Sequence, residues 1–353
     1  MGKLAVQKYF ALMFLIITII VMLFTFAGLF GGSLDPAGNT AIAMLVYALP
    51  ILLVINVLLV IYWLVRRRWI WLIMPVVTLL CSIPYMLSIF QPRGLATDSE
   101  ARKGIKIATY NVELFGRETT GFKAEAVLAE MKKQKIDILC MQEYSEHRGD
   151  KENSESYKEY FPYMAMGNAD MVIYSRFPIK EQKNLPFEDT NNSAMWATID
   201  VNGYDVRVFN VHLETTGFNR TLRQASKVRQ QGYDVESNSV LKAIYGNYTL
   251  GMIVRAGQAR TVANEISSST IPTIVCGDFN DVPYSYVYNT MLGDLVDGFK
   301  ECGSGFMKTF RAPKKPVRID YIFHSESLSG LTYYYKDLTY SDHFPVFMKI
   351  ALN

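Results

Sequence analysis

Three long runs without a charged side chain dominate the first ninety residues: Tyr9–Phe30, Ala41–Val65 and Trp69–Phe90. Each exceeds the roughly 20 apolar residues needed to cross the hydrocarbon core of a bilayer. Helices that are apolar all round must be buried on every side, so three in succession leave few soluble solutions. The runs predict a membrane domain over residues 1–95 with transmembrane helices at about 9–30, 41–65 and 69–90. The first run is longer than the ~7–15-residue core of a secretion signal and has no clear small-residue cleavage site after it. Trp63, Trp69 and Trp71 cluster near one predicted interface, as an aromatic belt does. Pro50, Pro75 and Pro84 predict kinks, which membrane helices tolerate.

Basic residues orient these spans. Lys3 and Lys8 precede the first, Arg66, Arg67 and Arg68 join the second to the third, and Gly31–Thr40 has no Lys or Arg. The positive-inside rule puts the N-terminus and the arginine triplet in the cytoplasm. Three crossings then leave the rest of the chain on the other side. The expectation is a multi-pass protein, of a bacterial inner membrane, with the bilayer as standing partner and an extracytoplasmic soluble part. No feature of the sequence predicts a protein partner. Of the 36 basic and 33 acidic residues, six basic and one acidic precede Ala96, leaving 30 against 32 in the remainder. That balance lacks the strong positive field of a dedicated non-specific nucleic-acid binder, although a local basic stripe can suffice.

Gln91–Lys103 is polar, with Pro92, Gly94, Asp98 and Glu100, and predicts a linker, placed at 96–103, between the membrane part and a domain at 104–353. In that domain Ile105–Val112 reads as a strand, Phe122–Lys135 as a helix, and Ile136–Met141 and Met171–Tyr174 as short buried strands. Ala194–Asp200 and Tyr204–Leu213 flank Asn202-Gly203, the dipeptide of a tight hairpin. Leu222–Ile266 is polar, long and more helical in character, and Pro272–Cys276, Ile319–His324 and Phe344–Leu352 close the pattern as strands. Strands with interspersed helices predict an α+β fold of packed sheets. The four cysteines, Cys81, Cys140, Cys276 and Cys302, form no CxxC pair or zinc spacing and read as small core residues, with a disulfide among the last three left open.

Polar residues recur where strands are predicted to end: Asn111, Glu143, His212, Asp278 and Asn280, Asp320, and Asp342 with His343. Loops at strand ends are where a rigid scaffold presents reactive groups. The segments TYNV, MQE, YSRFPI, NVHLE, GDFND, RIDYIF and SDHFPV follow one another in this order. Together they resemble the endonuclease/exonuclease/phosphatase superfamily, which includes pancreatic-type deoxyribonuclease, exonuclease III, inositol-polyphosphate 5-phosphatases and neutral sphingomyelinases. The resemblance covers about residues 104–352. It implies a two-sheet α/β sandwich of the deoxyribonuclease I kind, here preceded by three transmembrane helices.

Phosphoester cleavage needs charge neutralised on the non-bridging oxygens, an in-line nucleophile and a stabilised leaving group. Hard oxygen donors suit Mg²⁺, which takes one or two carboxylates and keeps several waters; Mn²⁺ or Ca²⁺ would meet the same donors. The resemblance implies that Glu143 is the principal metal ligand, with Asn111 on the metal or a phosphate oxygen and Asp342 beside it. It implies that Asp278 orients or deprotonates the attacking water and that Asn280 holds the water or the phosphate. His343 becomes the general acid/base with Asp320 on its other ring nitrogen. His212, which the exonuclease III branch lacks, would touch a phosphate oxygen or protonate the leaving group, with Asp170 as its orienting partner. Each of these residues has a blander use: Asn and Asp favour turns, Glu caps, and a lone histidine is usually a satisfied core residue. Seven motifs in order outweigh those uses.

Residues 215–257 depart most from a minimal family member and carry Arg220, Arg223, Lys227, Arg229 and Lys242 among aromatics. They read either as a phosphate- or membrane-facing insertion or as a solvated helix pair. Arg255, at the start of RAGQARTVANEI, is a candidate substrate-binding residue. The expected activity is metal-dependent hydrolysis of a phosphate ester, nuclease-like. A lipid-headgroup phosphodiesterase or phosphatase is the second reading, and a non-catalytic membrane scaffold the third.

Overall fold

A strand buried on both faces needs apolar residues at successive positions, not alternate ones. Ile138–Gln142, reading ILCMQ, meets that demand and is buried throughout. In the computed structural model of the chain, residues 3–93, 103–116, 124–144, 157–168, 171–188, 190, 192–215, 226, 237–311 and 317–352 are described. They divide into two compact units, Met1–Ser88 with Pro283–Asn289, and Ile89–Val282 with Thr290–Asn353.

The first unit is helical: α1 (Lys3–Gly31), α2 (Pro36–Ala43), a 3-10 turn over Met44–Ala48, α3 (Leu49–Val65), α4 (Trp69–Cys81) and α5 (Ile83–Ile89). Val6–Gly31 and Pro36–Val65 are long and apolar enough to cross a membrane. The expected third span is not one straight helix. It is α4 and α5, bent by 45° at Ser82, and it makes a third crossing only if the pair counts as one. Pro84 supplies the reason: it lacks an amide hydrogen, and its ring collides with the carbonyl of Leu80 one turn back. Between α1 and α3, Trp63 Nε1 donates to Thr18 Oγ1 at 3.0 Å and Asn56 Nδ2 to Thr25 Oγ1 at 3.0 Å. Buried hydrogen bonds of this kind join helices where the surroundings offer no hydrophobic contrast.

The second unit contains two six-stranded sheets. Its elements are β1 (Phe90–Gln91), β2 (Ile105–Asn111), the turn α6 (Glu113–Gly116), α7 (Ala124–Gln134), β3 (Ile138–Gln142), β4 (Tyr163–Met166), β5 (Val172–Ser175) and β6 (Ile179–Pro186). There follow β7 (Ser193–Val201), β8 (Tyr204–His212), α8 (Ser237–Ser267), β9 (Thr273–Asp278) and α9 (Tyr286–Leu292), which straddles the two units. Then come β10 (Val296–Asp297), α10 (Gly298–Cys302), β11 (Gly305–Phe306), β12 (Asp320–His324), β13 (Leu328–Tyr335) and β14 (Val346–Leu352). One sheet runs β10-β12-β9-β8-β7-β6 and the other β13-β14-β2-β3-β5-β4, while β1 pairs β11 apart from both. Only β8 with β9 and β2 with β3 are parallel among the described strands. Asn202 and Gly203, with φ of 54° and 92°, close the β7–β8 hairpin as their sequence predicts.

Alternation along the strands sorts side chains into layers. Ile107, Ile138 and Cys140 from one sheet meet Val208, Ile274, Cys276 and Ile322 from the other in the central core. Ala108, Tyr110, Leu139 and Met141 point the opposite way, onto Val127, Leu128 and Met131 of α7. On the outside of the other sheet Glu265 of α8 accepts from Trp196 Nε1 of β7 at 2.9 Å. The result is a sandwich of two sheets between helices. All four cysteines are free, and Cys140 and Cys276 are buried.

Candidate active site

Strand register brings the motif residues to one level. Asp278, at the end of β9, is the Cα partner of His212 on β8 and of Asp320 on β12. On the facing sheet Asn111 ends β2 opposite Gln142 of β3, and Glu143 follows directly. Glu143 has φ 53° and Asn280 φ 52°. Backbone held in this sparsely populated region costs energy and is retained where a side chain must be aimed. Gly277, at φ 142°, meets a different demand: a Cβ there would lie 1.9 Å from the carbonyl oxygen of Val211.

Asp278 is the hub. Its Oδ2 accepts from Asn111 Nδ2 at 3.2 Å and from Asn280 Nδ2 at 3.3 Å, and its Oδ1 accepts from the Asn280 amide at 2.8 Å. His343 Nε2 stands 3.6 Å from the same Oδ2, and His212 Nε2 stands 3.9 Å from it. Asn111 Nδ2 also donates to Glu143 Oε1 at 2.9 Å, and His212 Nε2 is 3.7 Å from that oxygen. His343 Nδ1 faces Asp320 at 3.0 and 3.2 Å, so the ring carries its Nδ1 proton toward that carboxylate. Asp342 Oδ1 lies 3.9 Å from His343 Nε2. Eight of the nine expected residues, all but Arg255, therefore form one connected group.

Burial dominates the electrostatics. It raises the Asp278 carboxyl above the usual range, the charge of Asp320 adds to this, and His343 and His212 oppose it. Burial on its own would weaken the His343 imidazolium. The charges of Asp320 and Asp278, the Asp320 hydrogen bond and Asp342 outweigh it and hold His343 well above its ordinary value. The ring is further confined by Phe310, whose centroid is 4.8 Å away.

The donors suit a hard cation. Asp278, Asp320 and His343 lie within 4.8 Å of one another, but Asp320 is committed to Nδ1 of the histidine between them. Glu143 is the open carboxylate, with its side chain 32% exposed beside the buried Asp278. Among the described residues, the charged partners of Glu143, Asp278 and Asp320 are histidines, never Lys or Arg. A surplus of carboxylates without a basic residue to balance it fits a divalent ion with oxygen ligands.

Two expectations need restating. Arg255 does not face a substrate: it is fully buried, with Nε 3.3 Å from Asp281 and Nη1 donating to the Glu214 carbonyl at 2.7 Å. These two contacts fasten the chain just beyond His212. Asn111 presents its amide nitrogen to the two carboxylates, while its Oδ1 accepts from the Glu113 amide at 3.0 Å. Asp170 and His147 lie outside the described residues. His324 is buried against Glu301, 2.7 Å from its Oε2, away from the motif residues.

Supporting residues were not legible beforehand. Gln142 donates to Thr109 Oγ1 at 3.0 Å and to Asn210 Oδ1 at 2.6 Å, and Asn210 donates to the carbonyls of Met141 and Val172. This buried polar group ties together the sheets directly below Glu143 and His212. Ser341 Oγ donates to the Asn111 carbonyl at 2.8 Å and accepts from the His343 amide at 3.0 Å. Thr309 Oγ1 accepts from the amides of Ile319 and Asp320. Gln142, Asn210 and Ser341 do sit inside the motifs MQE, NVHLE and SDHFPV, while Thr309 lies outside all of them.

The sequence profile of the endonuclease/exonuclease/phosphatase family matches residues 108–343. A second profile, described as a domain of unknown function (DUF8431), matches residues 11–89. No curated protein matches the chain. Among solved structures, an endonuclease/exonuclease/phosphatase from Bacteroides vulgatus is 16% identical with a TM-score of 0.52, covering 71% of this chain and 100% of its own. A second such protein, from Beutenbergia cavernae, is 17% identical with a TM-score of 0.51, covering 71% of this chain and 72% of its own. TDP2 of D. rerio, complexed with a single-strand DNA product, is 14% identical with a TM-score of 0.50, covering 71% and 100%.

Proposed function

The chain belongs to the endonuclease/exonuclease/phosphatase family, and from that premise we propose that it is a membrane-held, divalent-metal-dependent phosphoesterase that hydrolyses phosphate esters by in-line attack of water. One observation carries this reading: Glu143, Asn111, Asp278, His212, His343 and Asp320 are linked in a chain of contacts none longer than 3.9 Å. Two histidines and three carboxylates at the ends of five strands are more than packing requires.

Glu143, held by Asn111 Nδ2 at 2.9 Å and with Asp342 beside it, would hold the cation, Mg²⁺ by preference with Mn²⁺ or Ca²⁺ as substitutes. Bound there, the ion supplies neutralisation of the non-bridging phosphate oxygens. Asp278 accepts the proton of the attacking water, a task favoured by its raised basicity. Asn280, pinned through Nδ2 to the Leu213 carbonyl at 2.9 Å, orients that water or the phosphate. His343 holds its Nε2 proton toward the phosphate because Asp320 stabilises the imidazolium. His212 donates to a phosphate oxygen or to the departing ester oxygen. The P–O ester bond breaks as the bond from water forms, and the leaving alcohol takes up a proton.

The apolar helices and the basic residues Lys3, Lys8 and Arg66–Arg68 support a multi-pass membrane location with the catalytic unit outside the cytoplasm. Protease added to intact cells or spheroplasts would degrade the catalytic unit in that orientation and spare it in the opposite one. A lipid-headgroup ester is the favoured substrate class over nucleic acid, on the exposed apolar half of α8 and the near-neutral charge of the soluble part. The test is hydrolysis by the purified full chain of sphingomyelin vesicles, inositol phosphates and plasmid DNA, each with Mg²⁺ and with EDTA. Metal-dependent turnover of at least one substrate is expected; none on any of them contradicts the reading.

A further inference from the structure

Helix α8 changes character along its 31 residues. In its second half Met252, Arg255, Ala256, Ala259 and Val262 form one buried ladder. The same ladder, continued toward the N-terminus at helical spacing, passes through Tyr248, Tyr245, Ile244 and Leu241. There Leu241 is 62% exposed and Tyr245 56%, while Ile244 and Tyr248 are half-buried. Leu250, 60% exposed, and Ile253, 36% exposed, lie on the opposite face. Over Val240–Val254 apolar side chains thus stand on both faces, interspersed with Asn247 and Thr249, with Lys242 the single charge and no acidic residue.

We propose that this half of α8 is a membrane-docking arm, Val240–Val254 entering the bilayer interface so that the catalytic unit works on a lipid surface. Exposed apolar side chains such as Leu241 and Leu250 gain free energy when an apolar medium takes them out of water. At about 15 residues it is too short to span a bilayer, which takes roughly 20, and is suited to an interfacial segment. Tyr245 and Tyr248 place amphipathic rings at headgroup level, and Lys242 favours anionic lipid. Helices in the same chain long and apolar enough to cross a membrane keep a bilayer at high effective concentration. A second copy of the arm would cover one face and leave Leu250 and Ile253 in water.

The arm is joined to the site. Arg255 Nη1 donates to the Glu214 carbonyl, and Gln258 Oε1 accepts from the Glu214 amide at 2.7 Å, two residues beyond His212. Leu241 precedes Arg255 on the same helix by about 21 Å at 1.5 Å per residue. Docking would hold the site near headgroups, so the inference rests on the phosphoesterase reading and narrows its substrate to an ester presented by lipid.

Two measurements on the full chain, reconstituted in phosphatidylcholine/phosphatidylglycerol vesicles, test it separately. The first needs no activity. With Cys81 and Cys302 replaced by alanine, Leu241→Cys is labelled with bimane and quenched by doxyl-lipids, with Ser267→Cys at the other end of the helix as control. Several-fold stronger quenching at 241 is expected; equal quenching at both sites, or 241–241 crosslinking without lipid quenching, overturns the proposal. The second compares the Leu241→Glu/Tyr245→Glu variant with the parent chain on a vesicle-embedded phosphodiester and on soluble bis(p-nitrophenyl) phosphate. A fall of ~10-fold or more on vesicles alone is expected. Unchanged vesicle turnover, or an equal fall on both substrates, counts against docking. If the parent cleaves neither substrate, the phosphoesterase reading fails while the quenching result still decides the arm.

Discussion

Asp320 lies 3.0 Å from Nδ1 of His343, and the opposite nitrogen of that ring looks onto Asp278 at 3.6 Å. A histidine between two buried carboxylates keeps its proton to higher pH than a free imidazole, despite the burial that works against it. Activity that requires the protonated ring is therefore retained as pH rises past ~6.5 and falls only through the raised value.

Asp320→Asn removes the largest of the charges that hold the proton. The alkaline fall in kcat/KM is expected at lower pH, with kcat reduced by ~10²- to 10⁴-fold. A pH–rate series on parent and variant checks both; an unmoved alkaline limb contradicts the assigned pair.

Glu143→Gln keeps the shape of the open carboxylate and removes its charge. Mg²⁺ affinity measured by titration calorimetry should weaken by at least ~10-fold. The residue is partly exposed, so unfolding free energy should change by no more than ~0.5 kcal/mol.

Gly277→Ala should destabilise the fold by about 3 kcal/mol, because the new methyl meets the Val211 carbonyl at 1.9 Å. The neighbouring Asp278 moves with the strand, so the folded fraction should also lose activity. Denaturant titration and turnover per folded molecule separate the two effects.

Arg318 tests the frame behind Asp320. It is buried, donates to Asp297 at 2.9 Å, and lies 4.6 Å over the ring of Tyr321. Arg318→Met strands the Asp297 carboxylate and should cost about 3–5 kcal/mol. Adding Asp297→Asn should recover part of that loss in a double-mutant cycle.

The strands that carry chemistry were legible because their apolar runs end in diagnostic polar residues, as ILCMQ ends before Glu143 and TIVCGD ends in Asp278. The edges were not. β6, IKEQKNLP, has a row of exposed polar positions, and β13 carries no period-two signal across LSGLTYYY. Charged edge strands protect a sheet from further pairing and so lose the pattern that announces a strand. Arg255 misled for a related reason: arginine is usually exposed, and nothing in RAGQAR shows that Asp281 and Glu214 wait inside to receive it. The third span kept its apolar composition but not its straightness, which Pro84 controls.

The most direct test of the account is turnover of a phosphodiester by the full chain, with and without Mg²⁺, in parent, Glu143→Ala and His343→Ala forms of verified fold. The account predicts metal-dependent hydrolysis in the parent and its loss in both variants. Equal turnover in all three would contradict it.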